Sequence, residues 1–108
     1  MPKYTLIASR DPFESRETDR LYELAADLGR AGNEVVLFLV QNGVLAARQG
    51  ATTALSNLAG KQGVHVLADR FSLRERGIGD DALSRGVQAA DLDVVVDHLA
   101  EGRKVVWH

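Results

Sequence analysis

Glu34-Val35-Val36-Leu37-Phe38-Leu39-Val40-Gln41-Asn42-Gly43-Val44-Leu45-Ala46-Ala47 is the stretch on which the fold turns. Its apolar run, Val35 to Val40, is built of β-branched, leucine and aromatic side chains and is too short for a helix of its own. Such a run reads as a strand buried on both faces, at the centre of a parallel sheet. In open parallel sheets ligands collect in the crevice outside the carboxyl ends of the strands. The polar turn Gln41-Asn42-Gly43 is therefore the first place to look for a site.

On the amino-terminal side, Tyr4 to Ala8 suits a first strand, and Pro12 disfavours helix at Asp11 and marks a loop. From about Arg16 to Ala31, Leu21, Leu24, Ala25 and Leu28 recur at helical spacing, and Gly32-Asn33 closes the helix. On the carboxyl-terminal side, Val44 to Gln49 reads as a short helix ended by Gly50. Thr52 or Thr53 caps a second one that runs to Gly60. Val64 to Ala68 is a third strand, Ser72 to Arg76 one helical turn stopped by Gly77, and Asp80 or Asp81 the start of another short helix reaching Arg85-Gly86. A last helix spans about Leu92 to Ala100, with Leu92, Val95, Val96 and Leu99 on one face, and Lys104 to Trp107 forms a closing strand buried against the sheet. Strands alternating with helices imply right-handed crossovers and an open, mostly parallel α/β sheet of four or five strands.

Composition limits what this sheet can do. With 108 residues, 45% of them apolar and 26% charged, the chain fits one domain over residues 1–108. A formal net charge of -2 without blocks of like charge argues against binding nucleic acid or an anionic membrane. No apolar stretch approaches the roughly 20 residues of a membrane span. Met1-Pro2-Lys3 leads straight into a strand rather than a signal-peptide core, so a cytoplasmic protein is expected. There is no cysteine, which excludes disulfides, thiolate metal sites and thiolate nucleophiles in this chain. His65, His98 and His108 have no partner at metal-binding spacing, and the glycine-rich cofactor loops and the Gly-x-Ser-x-Gly elbow are absent. Neither metal nor cofactor is expected, and no catalytic motif is visible.

The amphipathic helix ending in Ala31-Gly32-Asn33, the strand running into Gln41-Asn42-Gly43-Val44, and Val66-Leu67-Ala68 followed by Leu73-Arg74-Glu75-Arg76-Gly77-Ile78 together resemble the DsrE/DsrF/DsrH superfamily, which includes the Tus proteins of the bacterial sulfur relay. Gln41 to Ala47 with the terminal Trp107 looks most like the DsrH branch, and the amino-terminal loop and helix more like the DsrE branch. The resemblance implies a flavodoxin-like, three-layer α/β domain that assembles into trimers or hexamers of its own chain, or hetero-oligomers with cysteine-bearing subunits. Some members carry sulfur as a persulfide on a cysteine at the end of the third strand. Here that neighbourhood reads Leu67-Ala68-Asp69-Arg70, and a carboxylate does not take up sulfane sulfur reversibly.

Candidate ligand- or partner-binding residues follow from the strand ends: Ser9, Arg10 and Asp11 after the first, Gln41, Asn42 and Gly43 after the second, Asp69 and Arg70 after the third, and Arg76 before its glycine. The residues after the second and third strands and Arg76 have structural alternatives. Gly43 serves the backbone angles of a tight turn, Asp69 with Arg70 forms a solvated ion pair, and Arg76-Gly77 is an ordinary helix end. Three functions fit: a non-catalytic subunit supporting sulfur transfer by a cysteine-bearing partner, a module binding a small molecule or nucleotide phosphate, and a hydrolase using Asp11 or Asp69.

Overall fold

A computed structural model describes residues 2–108. The apolar run becomes strand β2 (Glu34–Leu39), and it lies in the middle of a five-stranded sheet. β1 (Lys3–Ala8) and β3 (Val64–Asp69) flank it, β4 (Val87–Ala90) lies outside β3, and β5 (Lys104–Trp107) lies outside β1. The order is β4-β3-β2-β1-β5 and every pairing is parallel.

This order decides where the helices go. Winding from β1 to β4 moves steadily one way, so right-handed crossovers place α1 (Arg16–Arg30), α2 (Thr53–Ala59) and α3 (Arg70–Glu75) on one face. The step from β4 to β5 returns the other way and carries α4 (Asp93–Ala100) to the opposite face. The result is a three-layer α/β domain with unequal layers.

The thick side holds the main core. Leu6, Val35, Leu37, Leu39, Val64 and Val66 pack against Leu21, Ala25, Leu55, Leu58 and Leu73. On the thin side Ile7, Phe38 and Val40 meet Val95 of α4, with Leu67, Val94 and Val105 partly covered. Full burial of each such side chain contributes about 1.5–3 kcal/mol before entropy is subtracted.

Local signals account for most element ends. Thr52 is the cap of α2, its hydroxyl oxygen accepting from the Ala54 N–H. Gly32 takes φ 91° just beyond α1, a left-handed geometry that glycine adopts without strain.

Four expectations are corrected. Val87–Ala90 is a strand, which its weakly β-forming sequence, Val-Gln-Ala-Ala, did not suggest. The Gln41-Asn42-Gly43 turn is the first part of a 3-10 helix, Gln41–Ala47. In α4 the inward residues are Val94, Val95 and His98, whereas Leu92, Val96 and Leu99 stand exposed on the outer side. The closing strand is not buried either: Trp107 is 66% exposed, because β5 is an edge strand beyond the reach of α4 at its carboxyl end.

One buried polar pair fixes α4 to the sheet. Thr5 Oγ1 and His98 Nδ1 share a 2.7 Å hydrogen bond beneath the helix. Burial, and then the Arg103 guanidinium, hold the His98 pKa below its ordinary value against the carboxylates of Glu101, Asp97 and Glu34. The unfolded chain thus takes up this proton first on acidification. The stability contribution of neutral His98 is whole above about pH 6.5 and is lost as the pH falls from there through the folded pKa. We expect His98→Gln to lose less melting temperature than the parent chain between about pH 7 and pH 5. Equal losses in thermal melts of the two proteins would contradict this.

Candidate functional site

A crevice of about 230 Å³ opens at the carboxyl ends of β2, β3 and β5, lined by Val40, Gln41, Asp69, Phe71, Ser72, Glu75, Leu92 and Trp107. Each strand delivers one part of it. β2 ends in Val40 and Gln41, β3 ends in Asp69, and β5 supplies Trp107 from the sheet edge. The first turn of α3 adds Phe71 and Ser72, and Leu92 arrives where the chain enters α4.

The floor is a short hydrogen-bond chain. Asp69 Oδ2 accepts from the Ser72 backbone N–H at 3.1 Å and from its hydroxyl at 2.7 Å, so Asp69 caps α3. Ser72 Oγ in turn accepts from the Gln41 N–H at 2.9 Å, tying the end of β2 to the start of α3. Asp69 is only 8% exposed, and its Oδ1 has no hydrogen-bond donor among the described residues. Gln41 has φ 51°, the sole non-glycine residue with a positive value among those described. Left-handed backbone at such a residue costs on the order of 1–2 kcal/mol and collects at functional loops.

The other candidates divide between this crevice and structural duty. Asn42 Oδ1 accepts from Arg76 Nε and Nη2, at 3.2 and 3.0 Å, and Arg76 Nη1 also donates to the Ser72 carbonyl. Arg76 is thereby committed to holding the loop after β2 against α3. Arg70 pairs with Asp91, across the β3 to β4 pairing, and not with Asp69. The expected solvated Asp69–Arg70 pair is therefore replaced by a buried cap and a separate surface bridge.

Gly43 has another role than the one expected of it. Its φ is not positive, but a Cβ there would lie 2.2 Å from the Ala8 carbonyl oxygen, so the loop needs glycine for close approach to the end of β1. Ser9, Arg10 and Asp11 do not line the crevice. Ser9 donates from both N–H and Oγ to the His108 carbonyl, which closes the gap between β1 and β5. Asp11 is buried and its Oδ1 accepts from the Phe13 N–H, a local turn.

Phe71, Ser72, Glu75, Leu92 and Trp107 were absent from the sequence-derived set. A signal for Ser72 was present, since Asp69 at a strand end three residues before a serine fits an N-cap arrangement. Among the described residues no group of three or more His, Cys, Asp or Glu is placed to hold a metal, and no helix is long and apolar enough to cross a membrane.

A three-layer α/β fold of this kind has counterparts among known proteins. The DsrE/DsrF-like family model matches residues 2–107. The chain is a member of the DsrE/DsrF-like family. The ychN protein of E. coli has the same fold, with a TM-score of 0.89 at 23% identity and complete coverage of both chains. MTH1491 of Methanobacterium thermoautotrophicum gives 0.86 at 20% identity, again over all of both chains. BT1422 of Bacteroides thetaiotaomicron gives 0.74 at 16% identity, covering 98% of this chain and 94% of its own. No curated protein matches the sequence. For this DsrE-like chain the family points to a role related to sulfur relay, at the level of the family as a whole.

Proposed function

We propose that the chain is a non-catalytic DsrE-like subunit of an oligomer, supporting sulfur transfer carried out on a cysteine-bearing partner. The observation that carries this reading is Asp69. The crevice is fully built, yet the residue that ends β3 is a carboxylate engaged with Ser72, and the chain has no cysteine to form a persulfide. Assembly is favoured by the outer ridge of α4, where Leu92, Val96 and Leu99 follow helical spacing and are all more than half exposed. Covering that ridge would thicken the thin layer of the sheet.

Native mass spectrometry of the protein purified gently from its source tests this reading. A complex with a cysteine-bearing subunit is the expected result. An isolated chain with no partner and no self-assembly would contradict it. The aromatic walls of the crevice favour a second reading, a small-molecule binding module. With Asp69 and Glu75 in the lining and no basic side chain among them, it offers a phosphate repulsion rather than a grip.

A further inference from the structure

We propose that the crevice at the ends of β2, β3 and β5 binds a small organic ammonium ion, with its charge against Asp69 and Glu75 and its alkyl groups between Phe71 and Trp107. The inference rests on the second reading above, that of a binding module, and names its ligand class.

Two observations converge on it. Phe71 and Trp107 both line the crevice and are 67% and 66% exposed, so their ring faces are open to a ligand. Aromatic faces attract cations through the ring quadrupole, and more strongly when the cation is poorly hydrated, as a quaternary ammonium is. Asp69 is more than nine-tenths buried, and its Oδ2 is occupied by Ser72 while its Oδ1 is left without a donor among the described residues. Oδ1 is not sealed in the interior, so it is open to a cation in the crevice, and the burial of the rest of the carboxylate strengthens that attraction.

The charges around the crevice are arranged to the same effect. Glu75 adds a second carboxylate to the lining. Arg70 pairs with Asp91, and Arg76 donates to Asn42 and the Ser72 carbonyl while its Nη1 stands 3.8 Å from Glu75 Oε1, so of the two carboxylates Asp69 is the one with no ion pair among the described residues. A volume of about 230 Å³ lies below the range of about 300–1,000 Å³ usual for drug-sized ligands, which suits a small compact cation.

Choline and its uncharged isostere 3,3-dimethylbutan-1-ol are the probes. Trp107 is the chain's single tryptophan, so its fluorescence reports this crevice without labelling. Choline should change the emission saturably, with a dissociation constant of about 1 mM or tighter by fluorescence and by calorimetry. The isostere should bind at least about tenfold more weakly, for lack of charge. Asp69→Asn, which keeps an oxygen to accept from Ser72, should weaken choline at least about tenfold, and the more exposed Glu75→Gln by about threefold. Absence of saturable binding, equal binding of the isostere, or unchanged affinity in a folded Asp69→Asn or Glu75→Gln protein would overturn the proposal. Sedimentation of the same samples separates this outcome from any failure of the subunit reading, because the probes read the crevice and not the α4 ridge.

Discussion

Phe38→Ala should lower the unfolding free energy by about 3–5 kcal/mol, the cost of removing a large buried aromatic and leaving a cavity. Phe38 is completely buried on β2 and faces the thin side of the sheet, where it packs with Ile7, Val40 and Val95. A single short helix covers that side among the described residues, so few side chains can move in to fill the void. Chemical denaturation measures the loss, and a change below about 1 kcal/mol would show that the thin layer adds little to stability. Val36→Ala, a smaller deletion on the same face, should cost visibly less.

Gly43→Ala should be the most damaging of the glycine substitutions outside left-handed positions. The new methyl would be placed 2.2 Å from the Ala8 carbonyl oxygen, a rigid backbone atom, so either the loop after β2 or the end of β1 must shift. Overpacking of this kind costs about 1–3 kcal/mol or more. Movement of the loop also breaks the Gln41–Ser72 and Asn42–Arg76 bonds that shape the crevice. Gly60→Ala provides the comparison, because Gly60 has φ -87° and the nearest atom to its added Cβ is 3.7 Å away. That variant should be neutral or stabilising by up to about 1 kcal/mol. Similar melting temperatures for the two variants would contradict the close-approach role of Gly43.

The centre of the fold was legible in the sequence because β2 is an uninterrupted apolar run, a pattern that only a doubly covered strand requires. A threonine cap at Thr52 or Thr53 and the helix stop at Gly32 were legible because capping chemistry is local, and the structure selects Thr52. The errors arose where a residue's role is set by something distant in sequence. β4 lacks a strong strand composition and is held in place by its pairing with β3. With β4 unread, Asp91 could not be seen as the partner of Arg70, and the adjacent Asp69 was paired with it instead.

Periodicity alone left the orientation of α4 ambiguous. Apolar residues lie on two sides of that helix, and the crossover from β4 to β5 selects Val94 and Val95 as the inward pair. The same crossover leaves Trp107 uncovered at the sheet edge, which turns an expected core residue into a wall of the crevice. Gln41 and Asp69 were found at the crevice from strand-end logic, whereas Phe71, Leu92 and Trp107 join them only through the tertiary fold.

Sedimentation velocity at micromolar concentration, on the unmodified chain and on a Val96→Glu, Leu99→Glu double variant, tests the subunit account most directly. Both side chains are about 60% exposed in the isolated fold, so the substitutions should leave folding intact while placing charge on the α4 ridge. The account predicts that the unmodified protein sediments above its monomer mass of 11.7 kDa and that the double variant sediments at it. A strictly monomeric parent, or a variant that assembles as well as the parent does, would contradict it.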